Sequence, residues 1–134
     1  EEFIVDDMAH RLVVKPEELD VLLLPNLYGD ILSDLGAGTI GGLGLAPSGC
    51  YGNDFAYFES AHGTAPDIAD MGIINPTATL LSAAMMLRYL NLAEAASRLE
   101  TAIAEVYLAG SDLTPDQGGD ADTETFTDAV IGAL

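Results

Sequence analysis

Two carboxylates, Asp30 and Asp34, stand four residues apart in the run Asn26-Leu27-Tyr28-Gly29-Asp30-Ile31-Leu32-Ser33-Asp34. On a helix that spacing puts both on one face. Paired carboxylate oxygens suit a hard divalent cation such as Mg²⁺ or Mn²⁺, which keeps several waters and takes its other ligands from substrate oxygens. The same acids also read as a helix cap and a solvated neighbour, so the spacing alone leaves both readings open. A second group of reactive types lies in Glu59-Ser60-Ala61-His62-Gly63-Thr64-Ala65-Pro66-Asp67. Ser60 or Cys50 beside His62 could be drawn as a nucleophile pair, but neither has a residue to orient the base, and Cys50 is expected as a small, buried or partly buried thiol. His10 reads as a solvated or interface histidine.

The elements that must position these residues follow from periodicity. Ile4, Val5, Met8, Leu12 and Val13 recur at helical spacing before Pro16, which ends the first helix. Val21-Leu22-Leu23-Leu24 has no alternation and reads as a strand buried on both faces. A helix over Gly29 to about Thr39 follows it. Gly36 to Gly52 is rich in glycine and reads as a crossing region with only short ordered pieces. Ala56-Tyr57-Phe58-Glu59 predicts a short strand. Asn75-Pro76 predicts the start of a long helix to about Leu90, with Asn75 as N-cap and Pro76 in the tolerated first position. Further helices are expected over Ala93 to Leu108, closed by Gly110, and over Thr123 to Leu134. Alternating strands and helices indicate an α/β architecture. The literal G-x-G-x-x-G of Gly36 to Gly41 is set aside, because a dinucleotide fingerprint needs its first glycine directly after a strand.

The sequence has 134 residues, 49% of them hydrophobic, enough to bury a core. Twenty-two acidic residues face four basic ones, for a formal net charge of −18. That balance excludes a phosphate-backbone binder, whose affinity depends on Lys and Arg. It also suggests a salt-adapted, halophilic source, since self-repulsion is screened when the Debye length falls to about 3 Å at 1 M salt. No apolar run approaches a membrane span of about 20 residues. One cysteine excludes an internal disulfide, and the first residues lack the pattern of a secretory signal, so a cytoplasmic location is expected.

Longer runs carry a resemblance. Asn26 to Asp34, continuing into Gly41-Gly42-Leu43-Gly44-Leu45-Ala46-Pro47-Ser48, resembles the signature of the isocitrate and isopropylmalate dehydrogenase family of β-decarboxylating dehydrogenases. Val5-Asp6-Asp7-Met8-Ala9, with Leu12-Val13 and Pro16, resembles the family helix that supplies a metal carboxylate across a dimer interface. Glu59 to Asp67 and Asn75-Pro76-Thr77-Ala78 resemble its nucleotide-binding loop and the helix after it.

The resemblance implies an isopropylmalate/isocitrate dehydrogenase-like fold of which this is the C-terminal part. Residues 1–40 would belong to the second, dimer-forming domain and 41–134 to the returning part of the first, nucleotide-binding domain. It implies Asp30 and Asp34 as metal ligands and catalytic residues, with Asp6 reaching the site of a neighbouring subunit in a homodimer or higher oligomer. It also implies that His62, Gly63, Thr64 and Ala65 flank a dinucleotide, with Asn75 near adenine and Glu59 either near the nicotinamide or in a structural hydrogen bond. Asp67 would accept both ribose hydroxyls of NAD and repel the 2′-phosphate of NADP. The substrate implied is a small 2-hydroxy acid. Its closest branch by these segments is isopropylmalate, in leucine biosynthesis; tartrate/malate, homoisocitrate and isocitrate enzymes, or a non-catalytic regulatory subunit, are alternatives. The substrate-binding arginines and the proton-transferring Tyr and Lys of the family have no counterpart in these residues.

Overall fold

The computed structural model describes all 134 residues. They form five α-helices and two strands: α1 Val5–Val14, α2 Asn26–Thr39, β1 Pro47–Tyr51, β2 Ala56–Ser60, α3 Thr77–Tyr89, α4 Ala93–Ala109 and α5 Thr123–Ala133. The chain divides into two compact units, Glu1–Gly42 and Leu43–Leu134.

In the first unit α1 packs on α2, with Met8 and Leu32 buried and Gly36 facing Leu12 at 3.8 Å from where a Cβ would sit. Asp7 and Arg11, one turn apart on α1, pair at 2.8 Å. Pro16 ends α1 and starts a one-turn 3₁₀ helix, Pro16–Glu18. The expected buried strand at Val21–Leu24 does not form. These residues lie outside regular structure, with Val21 85% and Leu23 98% exposed, and no backbone hydrogen bond joins them to another segment. Unlike a helix, a strand is completed only by a neighbour's N–H and C=O groups, and no segment of this chain supplies them. α2 starts at Asn26, three residues before the expected Gly29.

In the second unit β1 and β2 make an antiparallel hairpin in the register Pro47↔Ser60, Gly49↔Phe58 and Tyr51↔Ala56. β1 is one of the short ordered pieces expected within the glycine-rich stretch from Gly36 to Gly52. A Cβ on Gly49 would stand 3.0 Å from both the Phe58 ring and the end of Met85, so the glycine lets α3 approach the hairpin without displacing either side chain. α4 packs on α3 and α5 on α4. Their shared core is Ala102, Ile103, Val106, Phe126 and Val130, flanked by Leu80, Leu81, Leu99, Tyr107 and Leu113. Gly110, at φ 70°, closes α4 in the left-handed conformation that favours glycine. Asp122 caps α5 by accepting the Thr125 N–H at 2.7 Å. α3 begins at Thr77, so Pro76 takes the cap position and Asn75 lies one residue farther out. Cys50 is exposed rather than buried, because β1 turns its side chain outward at that register.

Candidate functional site

Asp30 and Asp34 lie one turn apart on α2, both exposed. Neither carboxylate accepts a hydrogen bond or pairs with a cation, so both keep all their oxygen lone pairs for a ligand. A pair of free, hard oxygen donors on one helix face fits a divalent cation with waters in its remaining positions. Asp6, exposed on α1, accepts the N–H of Asp7 at 2.8 Å. Within the single chain no three His, Cys, Asp or Glu residues gather closely enough to hold a metal, so Asp6 does not join Asp30 and Asp34 in one chain.

In the second unit the loop after β2 carries the second set of expected residues. Glu59 is exposed on β2 opposite Ser48, and its carbonyl lies 2.6 Å from Ser82 Oγ. That buried hydroxyl also accepts the Ser48 N–H at 3.2 Å, so Ser82 links β1, β2 and α3. Nothing in the local sequence singles Ser82 out. The half-buried His62 ring holds Gly63 O at 2.9 Å from Nδ1. Gly63 and Thr64 are exposed, and Ala65 sits at φ 42°, ψ 61°, a left-handed backbone that costs a non-glycine residue about 1 kcal/mol. That bend leads into the turn Pro66–Ile68 and leaves Asp67 exposed with no hydrogen bond or ion pair.

Asn75 differs from these. It is 3% exposed, and three of its hydrogen-bonding positions are filled. Nδ2 donates to Tyr107 Oη at 3.1 Å and to Asp116 Oδ2 at 3.0 Å, while Oδ1 accepts the Thr77 N–H at 3.0 Å. Asp116 also accepts from Thr114 Oγ1 and from Gln117 Nε2. Partial burial pushes the Asp116 carboxyl up, but the bonds from Thr114, Gln117 and Asn75 outweigh it and hold the group below the usual carboxylate range.

Comparison with known proteins places this arrangement. A family profile described as isocitrate/isopropylmalate dehydrogenase matches residues 1–130. The chain belongs to this family. The isocitrate/homoisocitrate dehydrogenase of Thermus thermophilus is 58% identical over 134 residues, which is 100% of this chain and 40% of that protein. The mitochondrial NAD isocitrate dehydrogenase subunit alpha of Sus scrofa is 52% identical over 130 residues, 96% of this chain and 36% of that protein. The crystal structure of isocitrate dehydrogenase from Methylococcus capsulatus superimposes with a TM-score of 0.94 at 47% identity, covering 98% of this chain and 39% of that one. The chain therefore has the helix-rich α/β fold of isocitrate dehydrogenase-like structures and spans about 40% of the length of these relatives. Their names are of the isocitrate and homoisocitrate kind, not the isopropylmalate kind that the short motifs suggested. No helix is long and apolar enough to cross a membrane.

Proposed function

We propose that this chain serves an NAD-linked, metal-dependent oxidative decarboxylation of a 2-hydroxy acid of the isocitrate or homoisocitrate type. The observation that carries the reading is the free pair Asp30 and Asp34, retained on one helix face in a member of a β-decarboxylating dehydrogenase family. Asp30 and Asp34 would hold Mg²⁺ or Mn²⁺ from one subunit, and Asp6 would reach the site of a neighbouring subunit in a homodimer or higher oligomer. When bound, the cation polarises the substrate oxygens and stabilises the negative charge that develops as CO₂ leaves. The carboxylates fix that cation and, without it, repel one another.

The loop from Glu59 to Asp67 would bind the dinucleotide, with His62, Gly63, Thr64 and Ala65 lining it. Its bend at Ala65 presents Asp67 to solvent, where a carboxylate can accept ribose hydroxyls and disfavours a 2′-phosphate. The tail offers Asp116, Asp120 and Asp122 and no Arg to pair with a 2′-phosphate. The net charge of −18 supports a salt-adapted protein, and the single cysteine a reducing, cytoplasmic setting.

The test is a substrate and cofactor panel on the complete enzyme. Isocitrate, homoisocitrate, 3-isopropylmalate, tartrate and malate are each assayed with NAD⁺ and NADP⁺, with Mn²⁺ and after chelation. Turnover of isocitrate or homoisocitrate, NAD⁺ preferred and Mn²⁺ required, is the expected result. 3-Isopropylmalate as the best substrate would restore the leucine-pathway reading, and no turnover of any acid would make the protein a regulatory subunit.

A further inference from the structure

The polar cluster at the start of α3 centres on the buried Asn75 and Thr77, and it joins segments far apart in sequence. Asn75 reaches Tyr107, 32 residues on, and Asp116, 41 residues on. The Tyr107 hydroxyl also lies 2.8 Å from Thr77 Oγ1. Thr114, fully buried, donates to Asp116 from the other side. Gly44 closes the group: a Cβ there would come within 3.2 Å of the Asn75 Cβ and 3.3 Å of Asp116 Oδ2. The tail loop around Asp116 is thus tied to the start of α3 by side-chain bonds, and the loop itself is closed where the Ala121 N–H donates to Leu113 O at 3.0 Å.

An asparagine amide offers two donors and two acceptor lone pairs. In Asn75 both donors and one lone pair are spent inside the protein, and its side chain is almost wholly covered. It is therefore poorly placed to read a ligand and well placed to hold Asp116. We propose that Tyr107 and Asn75 are positioning residues, a brace that presets the loop around Asp116 for the adenosine half of the dinucleotide. The proposal rests on the reading of this unit as the NAD-binding one. Preorganisation of this kind acts on affinity rather than on the chemical step, because a loop already ordered loses less freedom when the ligand arrives.

Tyr107→Phe isolates the hydroxyl, since the ring keeps its edge contact with Phe126 at 5.6 Å. In the complete enzyme the brace makes three readouts move differently. Amide exchange over residues 113–119 without nucleotide becomes faster. Kd for NAD⁺ and KM for NAD⁺ rise about tenfold, the size of one lost hydrogen bond. The kcat value stays within about twofold. Thr114→Val, of matching shape, removes the donor on the other side of Asp116 and gives the same pattern should Tyr107→Phe fail to fold.

Unchanged exchange overturns the brace, and so does a fall in kcat with no change in KM. Faster exchange with unaltered NAD⁺ affinity overturns its link to the cofactor. Asp67→Lys serves as the control. If that variant weakens NAD⁺ binding while Tyr107→Phe does not, only the brace is lost; if the wild-type enzyme binds no NAD⁺, the functional reading itself falls and takes the link with it.

Discussion

The two units hold their candidate residues in opposite ways. In Leu43–Leu134 the segment around Asn75 and Asp116 is tied by side-chain hydrogen bonds across an aromatic and aliphatic core. In Glu1–Gly42 the acids Asp6, Asp30 and Asp34 stand on exposed helix faces, beside apolar side chains such as Leu27 and Ile31 that are 65% and 54% exposed. Part of the second unit's candidate site is therefore preset within one chain. In the first unit the candidate acids Asp6, Asp30 and Asp34 do not gather in one chain. Local helix formation is enough to align Asp30 with Asp34, but it cannot deliver a third carboxylate.

The largest expected effect breaks the comparison at the metal pair. Asp30→Asn or Asp34→Asn keeps the shape and removes one negative charge, so the fold survives while Mn²⁺ affinity falls. With the cation's contribution of several kcal/mol lost, kcat/KM should drop on the order of a thousandfold or more. Mixing Asp6→Asn with Asp34→Asn subunits sharpens the point. If Asp6 acts across the interface, each heterodimer regains one intact site and a substantial fraction of activity returns at saturating Mn²⁺; no return despite proven heterodimers means Asp6 acts in its own chain or not at all.

Phe126→Ala probes the core that supports the other unit. Phe126 is fully buried, and its loss should cost about 3–5 kcal/mol, read as a lowered urea midpoint. Asp67→Lys should come next, cutting kcat/KM with NAD⁺ roughly ten- to a hundredfold as its acceptors for the ribose hydroxyls disappear. Discrimination against NADP⁺ should narrow; an unchanged NAD⁺/NADP⁺ ratio would remove Asp67 from the cofactor reading.

The helices were legible because their signals are local. Pro16 and Gly110 each act within a few residues, and the observed ends of α1, α4 and α5 fall within about two residues of those expected. The pairing of Asp30 with Asp34 was legible for the same reason. Asn75 stands out in the sequence beside Pro76, but its role as an internally bonded residue depends on Tyr107 and Asp116, whose distance in sequence hides the contact. Val21–Leu24 shows the same limit in reverse: its apolar run reads as a strand, but a strand is completed only by a neighbour's N–H and C=O groups, and no segment of this chain supplies them.

A smaller effect lies in the acid limb of stability. The Asp116 carboxyl is held below its ordinary range, so its contribution is present above the unfolded-state value and is lost as pH falls through the folded one. Asp116→Asn should flatten the loss of stability in acid, measured as urea midpoint against pH. An acid limb of unchanged steepness would show that its hydrogen bonds contribute little to the fold.

The smallest expected change is at Leu23, and it tests the comparison most directly. A side chain 98% exposed has almost no contact to lose, so in this chain Leu23→Ser should alter stability by less than about 0.5 kcal/mol. Phe126→Ala, under the same conditions, provides the contrast. In the complete enzyme the expectation reverses if Val21–Leu24 is covered by a neighbouring strand, because Leu23 would then be buried and its replacement would cost about 1.5–3 kcal/mol. The difference between the two measurements therefore reports how much of the first unit's order comes from outside these residues. Equal, negligible effects in both would mean that the apolar run is never covered, and a large effect in the chain alone would mean that Leu23 packs where the structure leaves it bare.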